Sequence, residues 1–278
     1  MREALCAASR TIRLHSSPPS SSQGSPAGPA DRRLQGETRR GLTRDMLVLD
    51  YQPRHCMRSG RTLAVEALPR WPHRLTAAMG ASSSGTPERH SGRLVGGWLL
   101  QTACTEARLW NRPDLRLSVK LIGPQLTSEE LCIQVSAALE ESGLPPECLE
   151  LAIPESVAFS LDEDAAIAFA SLRDIGVNLL LDEFGHVFAS LLALRDMPLT
   201  AMKVDRLMLR SLPSDQETLA VVRAAVETSH AMGLSVCADG VDTDAHRLAL
   251  QGLTIDEGQG GVFSPPLSAA EIRLYLQR

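Results

Sequence analysis

Glu66, Lys120, Asp182, Glu183, Lys203, Asp239 and Gln259 each stand near the C-terminal end of a short β-rich run in a chain of 278 residues. Polar and charged side chains gathered at the ends of successive strands are the groups from which a binding or catalytic site is assembled. Of the 28 basic residues only Lys120 and Lys203 are lysines, and both belong to this group. A lysine ammonium donates three hydrogen bonds and accepts none, so among carboxylates it acts as a positioned cation.

From residue 46 onward, segments with strand character alternate with segments of helix character. MLVLDYQP (46–53) and TLAVEAL (62–68) read as an opening hairpin, followed by a polar loop over 79–92. A helix, RLVGGWLLQTACTEARLW, then runs up to Pro113, and LRLSVKL (115–121) is a strand. Thr127 with Glu130, and Ser214 with Glu217, read as capping boxes of helices that stop at Gly143 and Gly233. Further strands are expected over 149–153, 177–184, 200–205, 234–241 and 255–258, interleaved with helices over 162–175, from 189, over 245–253 and up to 277. About eight strands in repeated strand–helix units over ~230 residues predict an α/β fold, a TIM-type (β/α)8-like barrel. In such barrels the C-terminal strand ends carry the chemistry.

Composition narrows the class. Apolar residues make up 44% and charged residues 22%. No run approaches the ~18 apolar residues of a membrane span, and no apolar signal segment precedes a cleavage site, so a cytoplasmic protein without membrane contact is expected. Residues 16–41, SSPPSSSQGSPAGPADRRLQGETRRG, are too poor in large apolar groups to offset the entropy of ordering. Residues 1–45 are therefore expected to be a disordered Ser/Pro/Arg-rich tail ahead of one domain over 46–278. The net charge of −5 gives no basic footprint, so direct DNA binding is not expected. Six cysteines without a C-x-x-C pair read as isolated thiols.

The order YQP, EALPRW, LPPECLEL, DEFG, MKVDR, ADGVDT and QGG resembles the EAL family, the cyclic-di-GMP phosphodiesterase domain of bacteria, from about Met46 to Gln277. The resemblance implies a barrel that hydrolyses a phosphodiester with two divalent cations, Mg²⁺ or Mn²⁺. On that basis Glu66 and Lys203 occupy catalytic positions, as a first-metal ligand and as the lysine that orients water. Arg70 and Gln259 occupy ligand-binding positions, Asp182 bridges the metals, and Glu155 supports the loop after the next strand.

The departures from the family pattern are chemical. Lys120 stands where the family has a ligand asparagine, and Ala152 where it has a ligand glutamate, so these are lost ligand positions. Asp182, Glu183 and Asp239 form a weak remnant, the last two altered by one methylene. The family's five carboxylates and an asparagine carry −5, whereas four carboxylates, an alanine and an ammonium carry −3 here. Lys120 is expected to project into a cluster with Glu66 and Asp182 and act as an internal counterion. Val187 replaces a glycine in the loop His186–Leu191, which in the family couples dimerisation to metal binding.

Three functions compete. The first is a catalytically impaired EAL regulator acting through contacts with an unknown protein, without a cofactor, as in stand-alone members that repress virulence genes or regulate flagella. The alternatives are a non-hydrolysing cyclic-di-GMP receptor and a slow phosphodiesterase using Mg²⁺ or Mn²⁺. A dimer is compatible with the family, although Val187 weakens that expectation.

Overall fold

In the computed structural model, the described residues are 47–70, 89–121, 128–158, 163–185, 194–212 and 214–277. The expected tail, Thr127 and the loop His186–Leu191 lie outside them. The strands are β1 (Val48–Cys56), β2 (Thr62–Arg70), β3 (Arg116–Lys120), β4 (Leu149–Pro154), β5 (Asn178–Phe184), β6 (Ala201–Val204), β7 (Ser235–Asp239), β8 (Glu257–Gln259) and β9 (Leu267–Ser268). The helices are α1 (Arg89–Leu109), α2 (Ser128–Ser142), α3 (Glu155–Ala158), α4 (Glu163–Asp174), α5 (Arg206–Leu209), α6 (Gln216–Ala231), α7 (Asp244–Gly252) and α8 (Ala269–Tyr275).

Strands β2 to β8 pair in parallel and in sequence, and β1 closes the ring antiparallel to both β2 and β8. The result is an eight-strand closed barrel with helices outside, as the strand–helix rhythm predicts; β9 adds a short antiparallel pairing to Asp50 and Tyr51 of β1.

Period-two alternation sorts each strand between the barrel interior and the helices. Val65, Leu117, Val119, Leu149, Leu151, Leu179, Leu181, Met202 and Val236 face outward and are buried in the main hydrophobic core. The helices answer with 3.6-residue stripes. On α2 these are Leu131, Val135 and Leu139, and on α1 Leu99, Ala103 and Ala107. Each such leucine contributes about 1.5–3 kcal/mol by burial. Gly143 and Gly233 end their helices at φ of 68° and 78°, a conformation glycine adopts without a Cβ penalty. One cap differs from expectation: Asp215, not Ser214, caps α6, its carboxylate accepting from the N–H groups of Glu217 and Thr218. The ionised carboxylate is the stronger acceptor and lies one residue nearer the first turn.

Candidate functional site

The inward positions read as two polar layers separated by an apolar one. Ala152, Leu180 and Ala201 are register neighbours on β4, β5 and β6 and form a small buried cluster of their own. Toward the N-terminal strand ends lies an ionic layer. Arg54 Nη2 bonds Glu150 Oε2 at 2.9 Å, and its Nε lies 2.6 Å from Glu257 Oε2, misaligned for a hydrogen bond. Arg116 completes the set on the same two carboxylates. Burial alone would raise the Glu150 carboxyl, but Arg54 and then Arg116 hold it below its usual range. None of these four residues is among those the sequence singles out. A signal was available in the period of two: Arg54 follows Gln52, Arg116 precedes Ser118 and Lys120, Glu150 precedes Ala152, and Glu257 precedes Gln259 at same-face spacing.

At the C-terminal strand ends the expected residues converge. Lys203, buried on β6, places its Nζ 3.1 and 3.0 Å from the two Glu66 oxygens and 3.3 Å from Asp182 Oδ1. Burial alone would lower the Lys203 ammonium; Asp182, Glu66 and Asp239 more than offset it, so the lysine stays charged. Gln259 donates to Glu66 Oε2 at 2.7 Å and to Gln52 Oε1 at 3.0 Å, which leaves its own buried Oε1 without a partner among the described residues. Lys120 Nζ lies 3.1 Å from Asp182 Oδ2 and also donates to Glu183. Its partners are thus Asp182 and Glu183, not the expected Glu66, because Lys203 covers both Glu66 oxygens.

Adjacent residues of a strand ordinarily face opposite ways. Asp182 and Glu183 nevertheless share one ammonium, because the β5–β6 register shifts here and Glu183 adopts φ 60°. A non-glycine residue in that conformation stores about 1–3 kcal/mol of strain. The Glu183 N–H closes the turn onto Asp182 Oδ1 at 2.9 Å, and Glu155 Oε2 accepts from the Gly185 N–H at 3.1 Å. Burial would raise the Asp182 carboxyl, but Lys203 and Lys120 hold it at about 2. Asp239 moves the other way, raised by burial against the pull of Lys203.

Arg70 is not drawn into this cluster. It sits at the end of β2 with its side chain 63% exposed, 3.3 Å from Asp50 Oδ2. Among the described residues no group of three or more His, Cys, Asp and Glu side chains is disposed to hold a metal ion. Five described cysteines are free thiols. No described helix is long and apolar enough to cross a membrane. A separate groove of about 430 Å³ lies on the outer wall between β1 and α1, lined in part by Leu47, Leu49, Trp98, Leu109 and Ala269.

Comparison with known proteins gives a consistent picture. The chain is 31% identical over 250 residues to the cyclic di-GMP phosphodiesterase NbdA of Pseudomonas aeruginosa, covering 88% of this chain and 30% of that protein. It is 31% identical over 244 residues to the bifunctional diguanylate cyclase/cyclic di-GMP phosphodiesterase MucR of the same species, covering 86% and 36%. The chain thus spans about a third of the length of these curated relatives. The PaMucR phosphodiesterase solved with c-di-GMP superposes with a TM-score of 0.76 at 29% identity, over 86% of this chain and 99% of that one. The EAL domain of Mycobacterium smegmatis DcpA gives 0.70 at 28% identity, over 83% and 95%. The EAL domain profile matches residues 35–266. With a closed barrel, a polar mouth at its C-terminal strand ends and these relatives, the chain belongs to the EAL domain family.

Proposed function

We propose that this chain is a catalytically silent EAL-domain regulator that acts through contacts with another protein. The observation that carries the reading is the Lys120 ammonium between Asp182 and Glu183, beside the bare methyl of its register partner Ala152. Two divalent cations need many oxygen donors at open positions. Here both Glu66 oxygens face Lys203, one of them also accepts from Gln259, and both Asp182 oxygens face lysines. These residues do not fit a pair of dications.

Charge separates this reading from the receptor alternative. Glu66, Asp182, Glu183 and Asp239 against Lys120 and Lys203 leave the mouth at a formal −2, and Arg70 at the rim is already paired with Asp50. A phosphodiester entering without dications meets net repulsion rather than a cationic cradle. The cyclic-di-GMP turnover of the relatives therefore does not transfer to this chain. Regulation of gene expression, if it is the output, runs through the partner, because a net charge of −5 gives no overall basic footprint for an operator.

The test is incubation of the full chain with cyclic di-GMP and Mg²⁺ or Mn²⁺. No linear product and no saturable binding are expected. Hydrolysis lost in Glu66→Ala would establish an enzyme, and binding without turnover, weakened by Arg70→Ala, a receptor; either contradicts the proposal.

A further inference from the structure

We infer that Lys120, Glu183 and Ala152 work as one device: a cation tethered to β3 that takes the place of an ion at the barrel mouth and fixes the end of β5 without metal. The inference rests on the non-catalytic reading of the mouth and adds a mechanism to it, since it makes three separate departures from the family pattern interdependent.

Lys120 supplies the charge. Its ammonium reaches both acids of the irregular stretch between Leu181 and Phe184, Asp182 Oδ2 at 3.1 Å and Glu183 Oε1. Burial alone would lower the lysine, yet the two carboxylates keep it protonated. Glu183 supplies the reach. Its backbone is held at φ 60°, where aspartate is better tolerated than glutamate, so the longer residue sits there against local preference. The extra methylene extends a carboxylate by about 1.5 Å, which the Lys120 contact uses.

Ala152 supplies the space. It pairs in register with Lys120, is fully buried, and packs only small or branched neighbours, Leu180 and Ala201, in its cluster. A glutamate here would push a carboxylate into the volume beside the lysine stem. The end of β5 is thereby tied on one side to β3 through Lys120 and on the other to α3 through the Glu155 bond to Gly185. Divalent ions have no part in holding it.

The experiment is thermal unfolding of the full chain and of Lys120→Asn, each with chelator and with millimolar Mn²⁺. The wild-type midpoint is expected to stay within about 1 °C between the two conditions. Lys120→Asn is expected to fall by about 4 °C in chelator, and Mn²⁺ to restore at least half of that, because an ion can then occupy the vacated position. Mn²⁺ stabilising the wild type as much as the variant, a variant with no loss, or a loss that Mn²⁺ does not relieve each overturns the inference. Should Lys120→Asn not fold, Glu183→Asp, which keeps the charge and shortens the reach, takes the same test: a loss relieved by Mn²⁺ supports the device and no loss overturns it. Turnover of cyclic di-GMP by the wild type would sink the proposed function, whereas Mn²⁺ stabilisation without turnover would sink only this inference.

Discussion

Replacing Lys203 by methionine removes the one ammonium that touches both Glu66 and Asp182, and the consequence depends on pH. The side chains involved are nearly sealed, at 5% exposure for Lys203, 7% for Glu66 and 3% for Asp182. Removing one partner of a buried ion pair costs about 3–5 kcal/mol, because the other charge is left desolvated. In the wild type, Asp182 is held at about 2 against a usual 3.8, burial being outweighed by Lys203 and then Lys120. A carboxyl depressed in this way contributes stability that is present above the unfolded value and lost as pH falls through the folded one. The shift corresponds to about 2 kcal/mol. In Lys203→Met the burial effect is opposed only by Lys120 and the Glu183 N–H, its largest counterweight being gone, so the carboxyl rises and protonation comes to favour the fold. Urea unfolding followed by tryptophan fluorescence is expected to show a deficit of about 3–5 kcal/mol at neutral pH that becomes smaller as pH is lowered to 4, where the variant's raised carboxyl takes up its proton while the wild-type Asp182 is still ionised. A deficit that is equal at both pH values, or below about 1 kcal/mol at neutral pH, would refute the assignment of Lys203 as the counterion of a buried acid pair.

Other perturbations have equally definite outcomes. Arg54→Met leaves Glu150 and Glu257 buried with only Arg116 as counterion, and equilibrium unfolding is expected to lose about 3–5 kcal/mol. Gly185→Ala puts a methyl against Met208 Sδ at a backbone φ of 109°, and is expected to lower stability by about 1–3 kcal/mol, where an unchanged melting curve would show that the turn after β5 is not fixed. The double change Lys120→Asn with Ala152→Glu returns one neutral and one acidic oxygen donor to the mouth. Mn²⁺ binding followed by calorimetry should appear in that variant and be absent from the wild type.

Much of the barrel is legible in the sequence because its alternation of strands and helices is regular and its helices carry their own stop signals, such as Gly143 and Gly233. The strand tips were legible for the same reason, and Glu66, Asp182, Lys203 and Gln259 do meet. What local pattern could not supply is competition between side chains. Lys120 is expected in a cluster with Glu66 and Asp182, and only the packed geometry shows that Lys203 takes Glu66 while Lys120 turns to Asp182 and Glu183. That partner depends on a left-handed residue and a register shift, neither of which a two-residue period foretells. The ionic layer of Arg54, Arg116, Glu150 and Glu257 is harder to see in the sequence, because isolated charges in apolar runs show a common inward face only when several strands are aligned by their period of two. Arg70 shows the converse limit: a motif places it at the rim, but Asp50 from the antiparallel β1 decides where its guanidinium points.

The account turns on whether the barrel mouth has places left for ions. Crystals soaked in Mn²⁺ and measured near the manganese absorption edge would answer this directly. The expected anomalous map has no peak among Glu66, Asp182, Glu183 and Asp239, with both lysines in place; two fully occupied manganese sites there would contradict the account.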